Sequence, residues 1–239
     1  MENTTLSIFV PCFNEEKNIT KSLNNIKEAV QNIPYEMLVT DDGSKDKSLK
    51  MIEKFKEDNP NLDVKIFVNQ KNKGLGFNYY DKAHKALGKY YMLVNGDAVD
   101  RPSEIRKIIN NLGKADMILP HFIDKRNFLR RTISKLFVIM LNLITFNNLK
   151  YYNGQVLHLL DNVKKYGGGV SGFAYQAELV VALMLRKKTY IEVEIEPAFR
   201  LHGTTSAFTL RNIISVGKSI IAIFYNQMAY LIKKKFKKV

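Results

Sequence analysis

Short apolar runs alternate with amphipathic segments through the first half of the chain. The runs occupy residues 6–10, 36–40, 64–68, 90–94 and 117–119. Apolar runs of this length, bounded by polar, glycine or proline residues, predict buried strands. After the first run, apolar side chains recur at spacings of three and four residues, at Ile19, Leu23, Ile26 and Val30. That spacing predicts a helix with one buried face.

Further helices are predicted between the later strands. They cover residues 46–58, 76–87 and 102–112. Asn14 is a candidate cap for the first helix, and Asn59-Pro60 ends the second. Strands separated by helices indicate an α/β fold with a parallel sheet and right-handed crossovers. Such sheets bind ligands beyond the carboxyl ends of their strands, so the loops after residues 10, 40, 68 and 94 form the predicted binding region.

Two longer apolar stretches, residues 136–146 and 219–232, lie in the second half of the chain. Both are shorter than the roughly 20 apolar residues that a membrane-spanning helix needs. Arg130, Arg131 and Lys135 border the first stretch, and a lysine-rich segment follows the second. Apolar faces beside basic residues favour helices that lie in a membrane interface. The alternative is a buried core helix followed by a solvated lysine tail.

The net charge of +14 is confined to the second part of the chain, because residues 1–100 hold 14 basic and 15 acidic residues. A basic surface fits nucleic acid, anionic lipid or a phosphorylated acceptor. The basic residues border apolar runs and form no known nucleic-acid motif, so we expect no nucleic-acid partner. Cys12 is the single cysteine, and no secretory leader is evident. Both features predict a cytoplasmic protein.

Each of the four predicted loops carries a polar motif. The motifs are Pro11-Cys12-Phe13-Asn14-Glu15-Glu16, Asp41-Asp42-Gly43-Ser44-Lys45-Asp46, Asn72-Lys73-Gly74-Leu75-Gly76 and Asn95-Gly96-Asp97. In this order and spacing they resemble the family 2 glycosyltransferases of the GT-A fold, most of all the polyprenyl-phosphate enzymes such as dolichol-phosphate mannosyltransferases. The resemblance covers roughly residues 5–220. It implies a Rossmann-like, mostly parallel sheet flanked by helices, with C-terminal amphipathic interface helices.

The resemblance also implies how a nucleoside diphosphate sugar would bind. Glu15 and Asp42 would hold the nucleoside, with Pro11 shaping the loop and Asp41 close by. Asn14, Gly74 and Gly76 complete the expected nucleotide-binding set. GDP-mannose is slightly favoured over UDP-sugars as the donor. For residues 41–44 taken alone, a turn followed by a helix cap remains the alternative.

Asp97 is the expected metal ligand, with Asn95 beside it. The resemblance implies Mg²⁺ or Mn²⁺, which would stabilise the departing diphosphate. The family pattern is Asp-Ala-Asp-Leu-Gln, and here the first carboxylate is an amide and the glutamine is Val99. Asn95 still offers a carbonyl oxygen, whereas Val99 offers no ligand. Asp100 is interpreted as part of a polar turn.

Basic residues of the second half resemble the family's acceptor site. Arg130, Arg131 and Ser134 match an Arg-Arg-x-x-Ser segment that contacts the lipid phosphate, and Arg200 begins a later Arg-x-x-Gly-x-Ser-like segment. Arginines converging from two segments suit a phosphate. The alternative for Arg130 and Arg131 is simple exposure to solvent.

No acid stands in residues 150–153, where many inverting relatives keep a general base. A hydroxyl acceptor needs such a base, whereas a phosphate is already ionised. His158 and His202 are possible substitutes. We therefore expect an inverting transferase that uses a polyprenyl phosphate and lies peripherally on the inner face of a membrane. A same-fold enzyme acting on a glycan hydroxyl, and a catalytically weakened nucleotide-sugar-binding subunit, stay open.

We expect one glycosyltransferase domain over residues 1–239. Residues 1–120 form its nucleotide-sugar half, and residues 121–239 form its acceptor and membrane-facing half.

Overall fold

Seven strands form one sheet in the computed structural model, which describes residues 4–122, 128–168, 174–196 and 210–236. The strands are β1 Leu6–Cys12, β2 Tyr35–Asp41, β3 Asp63–Val68, β4 Tyr90–Leu93, β5 Met117–Phe122, β6 Leu157–Leu159 and β7 Tyr190–Ile195. Their order is β3-β2-β1-β4-β6-β5-β7. Only β6 runs antiparallel to its neighbours. The predicted α/β fold with a mostly parallel sheet is therefore confirmed.

Eight helices pack around this sheet in the part of the chain that the structure describes. They are α1 Ile19–Ala29, α2 Ser48–Asp58, α3 Leu75–Lys85, α4 Pro102–Ile109, α5 Phe128–Thr145, α6 Leu160–Tyr166, α7 Tyr175–Leu185 and α8 Leu210–Phe236. The predicted helices are present with shifted ends. The pattern missed β6 and α6, because a strand of three residues running directly into a helix has no clear period.

Alternate residues of the central strands build a core on each face of the sheet. On β1, Ile8 and Val10 face a cluster with Leu23 of α1, while Phe9 faces the opposite cluster. Phe9 packs there against Tyr79 of α3. Successive side chains of a strand point to opposite faces, so a strand covered by helices on both sides is apolar throughout.

The direction of the strands decides where the site lies. Six of the strands are mutually parallel, so their carboxyl ends share one edge of the sheet. Because β6 is antiparallel, the segment that precedes it, residues 153–156, reaches the same edge. The four motif loops and the start of β6 therefore meet along one border, as expected for ligand binding in open α/β sheets.

Candidate active site

Hydrogen bonds join the loop after β1 to the loop after β2. The Asn14 backbone N–H donates to Ser44 Oγ at 2.9 Å, and Asn14 Oδ1 accepts from the Lys45 backbone N–H at 2.8 Å. The Glu15 backbone N–H donates to Ser48 Oγ at 2.8 Å. The prediction that Asn14 caps α1 is wrong, because α1 begins at Ile19 and Asn14 has a left-handed backbone with φ 55°. Its side chain instead ties the two loops together.

Asp42 organises the loop that follows β3. Its Oδ1 accepts from the Lys73 backbone N–H at 2.9 Å and from Asn69 Nδ2 at 2.7 Å, and its Oδ2 accepts from the Gly74 backbone N–H at 2.9 Å. Burial acts to raise the pKa of Asp42, but these donors outweigh it and lower the pKa. Gly74 has φ 88°, a conformation that suits glycine at the start of α3. Asp42 thus shapes the loop that carries Gly74 and Gly76, and its direct contact with a nucleoside stays a prediction.

Asp41 has a different environment from its neighbour. It ends β2 and is only 2% exposed, yet its Oδ1 is buried without a hydrogen-bond partner among the described residues. A buried carboxylate oxygen without a donor is costly unless a ligand supplies one. Asp41 thus carries a buried carboxylate oxygen that no described group satisfies, and its contact with a nucleoside stays a prediction.

Gly96 brings the loop after β4 against the end of β1. A Cβ at this position would lie 2.4 Å from the Pro11 carbonyl oxygen, so the close approach requires glycine. Ala98 has a left-handed backbone with φ 60°, which is strained for a residue with a side chain. Asp97 lies between these two residues and is half-buried. Tight packing against Pro11 holds Asp97 beside the proposed nucleotide loops.

Asp100, interpreted from the sequence as part of a turn, is buried beneath this loop. Its carboxylate accepts from the Asn95 backbone N–H at 2.8 Å, from Asn95 Nδ2 at 3.2 Å and from Gln155 Nε2. Burial raises the pKa of Asp100 to about 7, against the lowering effect of the Asn95 backbone bond. Nothing in the sequence pattern links Asp100 to Gln155, since 55 residues separate them.

The described residues contain no group of three or more His, Cys, Asp or Glu that could hold a metal by itself. Asn95 and Asp97 nevertheless place two oxygen-bearing side chains on one short loop at the binding edge. Mg²⁺ is commonly bound by one or two carboxylates together with substrate phosphates. The residues present therefore fit a metal whose remaining ligands come from a diphosphate.

Two of the predicted acceptor residues, Arg131 and Ser134, line a cavity of about 380 Å³ at the other end of the same edge, together with Lys135 and Lys150, which were not predicted. Arg131, Ser134 and Lys135 come from α5, and Lys150 comes from the segment before β6. Of the other predicted acceptor residues, Arg130 lies in α5 with its side chain outside the described part. Arg200 and His202 lie outside the described residues altogether.

His121 and Glu194 also line this cavity and were not predicted as site residues. They are register partners on the parallel strands β5 and β7, and His121 Nδ1 lies 4.0 Å from Glu194 Oε2. Lys150 Nζ lies 3.3 Å from His121 Nε2. No sequence signal distinguished either residue, since Glu194 follows the regular alternation of polar and apolar residues in β7.

His158 does not fit the role of a general base. It is fully buried on β6, and its Nε2 pairs with Gln176 Oε1 at 3.1 Å. Burial lowers the pKa of His158 to about 4, so the ring is neutral at pH 7. It belongs to the core.

Large apolar side chains remain exposed on α5 and α8, two helices that contact each other. On α5 they are Leu136, Ile139, Met140 and Leu143, with Phe146 just beyond the helix. On α8 they are Ile221, Phe224, Tyr225, Met228 and Ile232. The spacings of three and four residues place each set on one helix face. Among the described helices, none combines the length and apolar character needed to cross a bilayer.

Comparison with known proteins identifies the family of this chain. The sequence model of glycosyl transferase family 2 matches residues 7–165. An uncharacterized protein of Methanocaldococcus jannaschii is 28% identical over 233 residues, covering 90% of this chain and 97% of that protein. A dolichyl-phosphate beta-glucosyltransferase of Dictyostelium discoideum is 25% identical over 63% of this chain. A dolichol-phosphate mannosyltransferase of Pyrococcus furiosus is 30% identical over 44% of it.

The chain spans 52% of the Dictyostelium protein and 29% of the Pyrococcus protein. Among solved structures, glucosyl-3-phosphoglycerate synthase from Mycobacterium tuberculosis, crystallised with Mn²⁺, UDP and glucosyl-3-phosphoglycerate, superposes with a TM-score of 0.72. The match covers 93% of this chain and 79% of that one at 14% identity. This likeness establishes the fold.

Proposed function

The chain belongs to glycosyl transferase family 2 and is a glycosyltransferase of the GT-A fold, and we propose that it transfers a sugar from a nucleoside diphosphate sugar to a polyprenyl phosphate at the cytoplasmic face of a membrane. The basic cavity at the acceptor end of the sheet edge carries this proposal. Residues 1–120 would hold the donor, and residues 121–239 would hold the acceptor and face the membrane.

Asp41 is the proposed partner of the nucleoside. Its buried Oδ1 would accept a hydrogen bond from a nucleobase N–H or a ribose hydroxyl. Glu15 and Pro11 would line the same pocket, while Asn14 and Asp42 keep its loops in place. The comparisons offer no support for GDP-mannose over UDP-sugars, because the relatives named include both a glucosyl- and a mannosyltransferase. The donor base is therefore left open in this proposal.

Asp97 and Asn95 are the proposed protein ligands of a divalent metal. A metal bound there would offset the negative charge that develops on the departing diphosphate. The chain's own contribution is to carry two oxygen-bearing side chains on a loop whose Gly96 packs against Pro11.

The acceptor phosphate is proposed to bind in the cavity beside α5. Arg131, Lys135 and Lys150 supply positive charge from two segments, and the Ser134 hydroxyl supplies a donor. Arg130 and Arg200 would complete the set, as the family resemblance implies. The three basic side chains that line the cavity exceed what the single carboxylate of Glu194 neutralises, so the cavity favours an anion.

The proposed reaction is one in-line displacement. An oxygen of the acceptor phosphate forms a bond to the anomeric carbon while the bond from that carbon to the diphosphate breaks. The nucleoside diphosphate leaves with the electron pair, and the configuration inverts. The phosphate is ionised at neutral pH, so the chain needs to place the two substrates rather than remove a proton. Fixed positive charge then stabilises the transition state.

Membrane attachment is proposed through the exposed apolar faces of α5 and α8. Leu143 is 72% exposed and Phe146 is 88% exposed, values that are costly in water for side chains of this size. Arg131, Lys135 and Lys218 are exposed on the same two helices. Basic residues beside an apolar face suit an anionic lipid surface. The lipid acceptor would then enter the cavity from the membrane.

Glu194 supports a second candidate, transfer to a glycan hydroxyl. It brings a carboxylate into the acceptor cavity beside His121, and a hydroxyl acceptor needs such a base. The two candidates make opposite predictions for Glu194→Gln. With a phosphate acceptor, turnover stays within about threefold of the unmodified protein. With a hydroxyl acceptor, loss of the base lowers turnover by roughly a hundredfold or more.

The experiment that tests the proposal combines UDP-glucose or GDP-mannose with polyprenyl phosphate, polyprenol or a free sugar. We expect transfer to polyprenyl phosphate and none to the other two acceptors. Transfer to the sugar hydroxyl without use of the lipid phosphate would overturn the proposal in favour of the second candidate.

A further inference from the structure

The loop that carries the proposed metal ligands is anchored by two side chains of α1. Ser22 Oγ donates to the Asn95 carbonyl oxygen at 2.5 Å, and Asn25 Nδ2 donates to the Asp100 carbonyl oxygen at 2.9 Å. Both donors belong to α1. Asp100 is 3% exposed, and its Oδ2 accepts from the backbone N–H and from Nδ2 of Asn95. Asn95 is therefore held by its backbone and by its side chain.

The bond to Nδ2 decides which way the Asn95 amide faces. With the nitrogen against the Asp100 carboxylate, Oδ1 points away from that carboxylate. The opposite orientation would bring two hydrogen-bond acceptors together and is unfavourable. Orientation matters at this position, because a hard divalent cation binds the amide oxygen and does not bind the protonated amide nitrogen.

We propose that Asp100, supported by Gln155, is a positioning residue that turns the Asn95 amide oxygen toward the metal and diphosphate, and thereby lets an amide replace the first carboxylate of the metal motif. This inference rests on the proposed donor site. Asp100 acts as a hydrogen-bond acceptor for Asn95 and does not itself contact the metal or the substrate.

Gln155 connects the hydrogen-bonded pair of Asp100 and Asn95 to the acceptor half of the chain. It is 3% exposed, precedes β6 and donates through Nε2 to Asp100 Oδ1. Its Oε1 is buried without a partner among the described residues. An amide at position 155 can rotate to offer either atom, so it can also donate to, or accept from, an altered residue 100.

These contacts predict different results for two variants of Asp100. Asp100→Asn keeps an oxygen for Asn95 and directs its new NH₂ at Gln155, whose Oε1 can accept after rotation. Asp100→Ala removes the acceptor and frees the Asn95 amide to turn. Asn95→Asp alone sets a second carboxylate against Asp100. In the double variant Asn95→Asp with Asp100→Ala, residue 95 offers an oxygen in either orientation.

The experiment measures Mn²⁺ binding by electron paramagnetic resonance in the presence of UDP, with GDP in parallel. Asp100→Ala is expected to weaken Mn²⁺ binding about tenfold, in the range found for residues that orient metal ligands. Asp100→Asn should stay within about threefold of the unmodified protein, and the double variant should recover most of the loss. Nucleotide binding without metal should stay the same in all variants.

Asp116→Ala is the matched control. Asp116 is also hydrogen-bonded, by Thr189, Lys188 and Asn162, but it lies at the opposite edge of the sheet. Its removal should lower the melting temperature without changing Mn²⁺ binding. Equal losses in Asp100→Asn and Asp100→Ala would show that charge matters rather than orientation, and would overturn the inference. Unchanged Mn²⁺ binding in Asp100→Ala, with a normal melting temperature, would also overturn the inference. If Asp100→Ala does not fold, the Asp100→Asn result and the recovery in the double variant decide.

Absence of Mn²⁺ binding to the unmodified protein with either nucleotide has a different meaning. That result would remove the proposed metal, and this inference with it, whereas the outcomes above concern Asp100 alone.

Discussion

The side-chain nitrogen of Lys150 lies 3.3 Å from Nε2 of His121, within the cavity that also contains Arg131. This contact places an ammonium group in the segment where the family resemblance leads one to expect an acid. The neighbouring Tyr151 ring packs edge-on against Phe122 at a centroid distance of 5.0 Å, which supports the segment that carries Lys150. Lys150 thus adds positive charge to the cavity that also contains His121 and Glu194.

Lys150→Met and Arg131→Ala should each impair use of the acceptor. Losing one charge-assisted bond to a phosphate costs roughly 1.5–3 kcal/mol, which is about a tenfold to hundredfold loss in kcat/KM for polyprenyl phosphate. The donor KM should change little. Lys50→Met, at an exposed lysine of α2, is the control. Equal kcat/KM in Lys150→Met and Lys50→Met would remove Lys150 from the acceptor site.

Asp41→Asn and Asp42→Asn should have different effects, the first on nucleotide binding and the second on the free energy of unfolding. At Asp41, where one oxygen has no described partner, the change should weaken nucleotide binding with little effect on unfolding. At Asp42, an amide would face the N–H groups of Lys73 and Gly74, so we expect a loss of about 1–3 kcal/mol in the free energy of unfolding. Calorimetric nucleotide titration and urea unfolding measure the two effects. The reverse pattern would make Asp42 the nucleoside ligand.

His158 should make the protein less stable as pH falls below neutrality. Its pKa is about 4 in the folded chain against an ordinary 6.5, so between these values the unfolded chain binds more protons. The contribution of His158 to stability therefore rises with pH through this window and is fully present above about pH 6.5. We expect the titration of His158 to make the free energy of unfolding about 2 kcal/mol lower at pH 5 than at pH 7.

His158→Gln removes the titrating group and should flatten that part of the profile. Urea unfolding at several pH values checks the difference between the two proteins. Parallel profiles would show that another group causes any acid sensitivity.

Leu143→Asp should weaken binding to anionic vesicles. The variant replaces an apolar side chain on the exposed face of α5 with a charge that the lipid surface repels. Leu87→Asp is the matched control, because Leu87 is similarly exposed, at 67% against 72%, but precedes β4 at the far edge of the sheet. In flotation with phosphatidylserine vesicles, recovery of Leu143→Asp should fall several-fold while that of Leu87→Asp is maintained. Equal recovery of both would exclude this face of α5 from the interface.

The sequence alone was enough to predict strands β1 to β5, their alternation with helices and the four loops at the binding edge. These features depend on local periodicity and on polar residues that directly follow apolar runs, as Asp41 and Asn95 do. Local pattern also predicted the apolar faces of α5 and α8, because a helix exposes its side chains at a regular spacing.

Only the tertiary structure decided which side chains share a site. Asp41 and Asp42 are adjacent in sequence, yet Asp41 has a buried oxygen without a described hydrogen-bond partner, whereas Asp42 binds the loop after β3. His121 and Lys150 are 29 residues apart and meet because β6 runs antiparallel and returns its preceding segment to the binding edge. Hydrogen bonds of this kind depend on how strands pair across the sheet, and strand pairing is a long-range property that no local spacing encodes.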